Sequence, residues 1–153
     1  MVILCLMAQQ KGMVINMKEK TRRIILIIIY SVIVLSTAAV VFKGVTAGAD
    51  AGQVGEDMRS WGYFKAFTTD SNVLCAIIAS ISLFCLLVRK SDLPYHVRVL
   101  NLIGSVGVAL TFIVVVTFLA PSLGWLMMFE GGLFHLHFLT PVLAAAALLI
   151  SSA

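Results

Sequence analysis

The chain has 153 residues, of which 61% are hydrophobic and only 12% charged. A soluble domain carries about 25% charge, so there is too little polar surface here to face water, and a soluble fold is excluded. The formal net charge of +4 does not point to nucleic acid, because the basic side chains cluster at the ends of apolar runs, where they set membrane orientation.

Residues 1–23 are expected to form a cytoplasmic tail. Within it, Met17-Lys18-Glu19-Lys20-Thr21-Arg22-Arg23 has the form of a natural start just ahead of a membrane helix, and residues 1–16 are given no function. Ile24–Phe42 is the first run without a charge. Basic residues, an apolar run and Ala47-Gly48-Ala49 also resemble a signal peptide with its cleavage site. A signal core is only ~7–15 residues long, however, so a retained helix is expected at 24–42.

The following runs are Ser71–Val88, Val99–Leu119 and Gly132–Ile150. Crossing the hydrocarbon core takes about 17–25 residues of helix, and each run suffices for one crossing. None alternates apolar with polar residues as a membrane strand would. The fold predicted is therefore all-α: a multi-pass bundle of four helices at about 24–42, 68–88, 98–119 and 132–151, in one domain over 24–153. The last helix stops at Ser151-Ser152-Ala153 with no anchoring Lys or Arg. The expectation is a chain truncated relative to a longer parent, or one that works with partner helices or as an oligomer.

Lys11, Lys18, Lys20, Arg22 and Arg23 precede the first helix, and Arg89, Lys90 and Arg98 lie between the second and third. Across the bilayer, Lys43, Arg59 and Lys65 face Asp50, Glu56, Asp57 and Glu130. The positive-inside rule places the N-terminus in the cytoplasm of a cell-membrane protein and turns 43–65 and 120–131 outward. Trp61, Tyr63 and Trp125 suit the aromatic belt at the interface. Cys5, Cys75 and Cys85 form neither a disulfide framework nor a metal-ligand spacing, so no cofactor or metal is expected.

Polar groups at membrane depth are costly and usually face the bundle interior. On the second helix Thr68, Asn72, Cys75 and Ala79 fall on one line, flanked by Ser71 and Ser82, with Leu74, Ile77, Ile81 and Phe84 opposite. Small and polar residues toward protein, bulky ones toward lipid, is the usual sorting. Asp70 points away and stays hydrated at the boundary, and either Thr68 or Asp70 suits a helix cap. On the fourth helix His135 shares a side with Phe138, Leu139, Val142, Ala146 and Leu149. His137 shares the smaller, more polar side with Thr140, Pro141, Ala144 and Ser151. Pro141 has no N–H for the carbonyl of His137, so a bend and a free acceptor are predicted there.

Both helices enter from the same side, so Thr68 and His137 fall in one leaflet on inward faces. A Thr hydroxyl becomes a nucleophile only when a base takes its proton, and an imidazole is such a base. The plainer readings remain beside this one: Thr68 as a cap, His137 as a hydrogen-bonded packing residue, Asn72 as a helix–helix donor. His96 and Tyr95 lie on the wrong side to join Thr68. Two His on opposite faces suit neither haem ligation nor one metal.

Two segments are familiar. Tyr63-Phe64-Lys65-Ala66-Phe67-Thr68-Thr69-Asp70-Ser71-Asn72 is similar to an aromatic-Phe-Thr-x-x-[Ser/Asp]-Asn type of helix start. Leu133-Phe134-His135-Leu136-His137-Phe138-Leu139-Thr140-Pro141 resembles a His-x-x-x-Pro segment. Both occur in the family of androgen-induced and androgen-dependent six-helix membrane hydrolases of animals, which has a large prokaryotic branch. The resemblance covers roughly residues 24–150. It implies a membrane-embedded threonine hydrolase of fatty acyl esters, with Thr68 as nucleophile and His137 as base. His135 can also be matched to the motif; the spacing to Pro141 and the helix face select His137. Relative to that family the chain lacks the last two helices and the Asp-Trp after the proline helix.

The residues thus support two expectations. One is a lipid-ester hydrolase in the bilayer, with Asn72 or the first N–H groups of the second helix holding the oxyanion, and Asp70 and His135 as possible supports. The other is a non-catalytic multi-pass protein whose polar stripes pack helices or bind lipid.

Overall fold

The computed structural model describes residues 19–47, 67–88, 93–129 and 131–152. The tail before Glu19, Trp61, Tyr63, Lys65, Arg89, Lys90 and Glu130 therefore lie outside the described residues. Four helices are long and apolar enough to cross a membrane: α1 (Glu19–Ala47), α2 (Phe67–Val88), α3 (Tyr95–Ser122) and α4 (Gly131–Ser151). The described residues contain no strand, and the chain is a multi-pass integral membrane protein.

The apolar runs locate the helices but understate their length. α1 begins within the basic segment and ends beyond Lys43, because long basic side chains carry their charge out of the apolar layer while the backbone stays helical. α3 starts directly after Pro94, whose fixed φ of −55° suits a residue leading into a helix.

The helices pack in a ring, each beside the next, and α4 closes against α1. Arg23 near the start of α1 meets Leu86 near the end of α2. Ser71 meets Thr111, Asn101 meets Ser82, and Ser105 meets Ala144. Consecutive helices therefore run antiparallel. We call the end holding the starts of α2 and α4 the upper end. The bundle axis is filled by Leu26, Ile29, Tyr30 and Ile33 of α1 with Cys75, Ala79, Leu86, Val97, Val108, Ala144 and Ala147. Leu74, Ile77, Ile81 and Phe84 are exposed, as expected of the lipid side of α2. Between α2 and α3 the approach is close: a Cβ on Gly104 would sit 3.0 Å from Cδ1 of Ile78 and 3.5 Å from Cα of Cys75.

Arg23 reaches across to the end of α2. Its Nε and one terminal nitrogen donate to the carbonyl of Leu86 at 3.1 and 2.6 Å. The last four carbonyls of a helix lack intrahelical donors and carry the negative end of its dipole. Here a guanidinium from α1 supplies what α2 lacks.

Two helices contain a widened π turn, at Val115–Leu119 in α3 and at His135–Leu139 in α4. Both are followed by a small residue and then proline: Thr117-Phe118-Leu119-Ala120-Pro121 and His137-Phe138-Leu139-Thr140-Pro141. The N–H of Ala120 bonds the carbonyl of Val115, and that of Thr140 bonds the carbonyl of His135, each five residues back. A widened turn admits the proline ring without ending the helix. This corrects one expectation and gives another its form. α3 does not stop at Leu119 but continues past Pro121. The disturbance expected at Pro141 takes the form of a π turn, which leaves the carbonyl of Leu136 without a main-chain donor. Its ordinary donor, the N–H of Thr140, is diverted to His135, and the next, on Pro141, does not exist.

Candidate functional site at the upper end of the bundle

The first turn of α2 carries its polar groups close together. Thr68 is half-buried, because its face turns toward the bundle while its position in the first turn leaves it open above. Thr69 is only 2% exposed, and Asp70 is exposed at the rim. The carbonyl of Thr68 accepts from Nδ2 of Asn72 at 2.7 Å and from Oγ of Ser71 at 3.1 Å. Ser71 is also hydrogen-bonded to Thr111 of α3 at 2.8 Å, so that the two hydroxyls share their two protons among each other, the Thr68 carbonyl and the Gly107 carbonyl, which lies 3.2 Å from Thr111.

Asn72 is fully buried and joins this turn to α4. Its Nδ2 also donates to the carbonyl of Leu136 at 3.1 Å. Both amide hydrogens are thereby used on main-chain acceptors, and turning the amide over would set its oxygen against two carbonyls. The assignment of Asn72 as an oxyanion donor is accordingly corrected: the atom it has left is the acceptor Oδ1, which has no hydrogen-bond partner.

His137, on the π turn, is 4% exposed, whereas His135 is half-buried with Nδ1 shielded and unpartnered. The division of the two imidazoles follows the helix faces expected from sequence. Phe129 and His137 form a T-shaped ring pair, with centroids 6.5 Å apart and planes at 86°. Phe129 also stacks on Trp125 at 6.1 Å. Phe138 extends the aromatic cover to Phe112 and Phe134, at 6.1 and 5.4 Å. The short helix Trp125–Met128 that brings Trp125 and Phe129 here lies between Gly124 and Gly131, both at positive φ.

The arrangement sets a half-exposed threonine turn against a buried histidine turn, with Asn72 holding the two together. Thr140 on α4 and Thr37 on α1 are further buried polar side chains. No three His, Cys, Asp or Glu side chains gather into a metal-binding group among the described residues. Thr37, Thr69, Thr111 and Phe129 were not singled out from sequence. Thr37 and Thr111 were detectable as lone polar residues within apolar runs. Phe129 was not, since its position depends on the path of the turn. No family model, curated protein or solved structure matches the chain, so the reading of its two motifs rests on these residues alone.

Proposed function

We propose that this membrane protein is a hydrolase of fatty acyl esters, working within the outer leaflet of the cell membrane with its N-terminus in the cytoplasm. Thr68 is the nucleophile and His137 the general base. The observation that carries this reading is the double donation by Asn72, which ties the Thr68 turn to the π turn bearing His137. Thr68 suits attack better than Thr69, because a nucleophile must be reached by the acyl chain and Thr69 is closed off.

In the proposed reaction His137 takes the hydroxyl proton of Thr68 as its oxygen attacks the ester carbonyl. The tetrahedral oxyanion is held by N–H groups of the first turn of α2, which have no intrahelical acceptors. Its collapse breaks the ester bond, and His137 returns the proton to the leaving alkoxide. Water then attacks the acyl-threonine, giving up a proton to His137 and releasing the fatty acid while Thr68 recovers its own. Asp70 stays at the hydrated rim, and His135 borders the site on its lipid side.

A scaffold reading is favoured by one specific observation: Asn72 uses both amide hydrogens on main-chain carbonyls, as a purely structural clamp would. An alkyl fluorophosphonate applied to membranes containing the full chain separates the two. Labelling is expected in the native protein, in Thr68→Ser and in Thr69→Ala, and is expected to be lost in Thr68→Ala and His137→Ala at unchanged thermal stability. A native protein that is never labelled, or label retained by Thr68→Ala, sinks the hydrolase.

A further inference from the structure

Three buried oxygens toward the upper end have no hydrogen-bond partner: Oδ1 of Asn72, Oγ1 of Thr140 and Oγ1 of Thr37. Their residues are 0%, 1% and 2% exposed and sit on three different helices. Two independent contacts bring Asn72 and Thr37 to the depth of Leu136. Arg23 faces Leu86, and Thr37 lies as far along α1 from Arg23 as Asn72 lies back along α2 from Leu86. Val40 packs where a Cβ on Gly132 would be, at 3.2 Å, and one turn deeper on the same two helices are Thr37 and Leu136. Thr140 is one turn below Leu136, whose carbonyl Asn72 holds.

Side chains on a helix lean toward its N-terminus. Thr140 on α4 leans up toward the turn of Leu136, and Thr37, on a helix running the other way, leans down toward it. The three oxygens thus belong to adjoining turns of the bundle interior, and none has a hydrogen-bond partner there.

We propose that they bind one internal water molecule. Their chemistry selects the ligand. Asn72 offers only an acceptor and requires a donor; the two threonine hydroxyls each have a proton to give and require an acceptor. A lone ester or ketone carbonyl can satisfy the hydroxyls but not Asn72. A water molecule donates to Asn72, accepts from both threonines, and reaches the usual number of about three partners. A monovalent cation can take all three oxygens as ligands. It would lie in the apolar layer with only three neutral ligands and no carboxylate of the described residues beside it, a costly position. The water site does not depend on Thr68 being a nucleophile.

The test uses the full chain in lipid nanodiscs. Isosteric Thr37→Val and Thr140→Val each remove a water partner, and each is expected to lower Tm by a few degrees. Were the hydroxyls dry and unpaired, a methyl group in place of either would leave Tm unchanged or raise it, and that result overturns the site. X-ray radiolysis generates hydroxyl radicals from bound water. Leu136, although 2% exposed, is expected to be oxidised in the native protein and protected in the doubly substituted one. Absence of Leu136 oxidation in the native protein overturns the proposal even if the variants fail to fold. So does a Tm that rises specifically with sodium over choline, which assigns the oxygens to a cation.

Discussion

Asn72 of α2 donates to the carbonyl of Leu136 on α4 at 3.1 Å, and it does so at the carbonyl that Pro141 leaves without a main-chain donor. The proline and the asparagine are therefore parts of one device, although they lie on different helices. In lipid an unpaired main-chain carbonyl has no water to turn to. A π turn beside a proline is tolerable at this depth because a neighbouring helix brings the missing N–H.

Loss of that N–H is expected to be costly in proportion. Asn72→Ala leaves the Leu136 carbonyl unsatisfied and should destabilise the bundle by about 1–3 kcal/mol. Pro141→Ala restores a main-chain N–H to the same stretch of helix. In a double-mutant cycle the penalty of Asn72→Ala should shrink in the Pro141→Ala background, with a coupling on the order of 1 kcal/mol. Unfolding in mixed micelles measures all four corners. Strict additivity would separate the two residues and remove the device.

This pair also marks where the sequence ceases to be readable. The faces of α2 were legible, because Cys75 and Ala79 against Leu74 and Ile77 follow helical spacing and the size sorting of membrane helices. The separation of His137 from His135 was legible on the same grounds, and so was a disturbed helix ahead of Pro141. That the carbonyl of Leu136 would lose its main-chain donor was not. That depends on the register the helix adopts, and the register depends on a donor from another helix. The burial of Thr69 escaped for a similar reason: it lies on the flank of the inward face, where only the placement of a neighbour decides exposure. The extension of α3 past Pro121 was hidden because a proline in a sequence more often ends a helix than widens it.

Gly104 is expected to show how closely α2 and α3 approach. Gly104→Ala places its Cβ 3.0 Å from the terminal methyl of Ile78, which can swing aside, so the cost should stay below about 1 kcal/mol. Gly104→Leu has no such relief, since the main chain of Cys75 lies behind. It should cost about 1–3 kcal/mol, the usual range for overpacking. Ile78→Val should relieve the alanine variant and not the leucine variant. Equal stability of both variants would mean that the helices are farther apart than described.

Arg23 is expected to matter through geometry as well as charge. Its two nitrogens hold one carbonyl at the end of α2, and hydrogen bonds from charged donors contribute about 1.5–3 kcal/mol. Arg23→Met should lose most of that amount. Arg23→Lys retains the charge near the helix terminus but presents a single compact ammonium instead of a planar fork, and should recover only part. Hydrogen exchange at the last turn of α2 locates the effect. Faster exchange confined to α1 would contradict the capping role.

The leaflet that holds the candidate site is open to direct measurement. Among the described residues Glu19, Lys20, Arg22, Arg23 and Arg98 lie toward the lower end, while Lys43 and Asp70 lie toward the upper end. Basic residues are retained on the cytoplasmic side, so the upper end should face outward. Ser122 at the upper end and His96 at the lower are both exposed. In a background freed of Cys5, Cys75 and Cys85, an impermeant maleimide should label Ser122→Cys on intact cells, and His96→Cys only after the membrane is opened. The reverse pattern would move Thr68 and His137 to the inner leaflet. Their mutual placement would survive, because Asn72 fixes it within the bundle, but an ester substrate would then have to arrive from the cytoplasmic side.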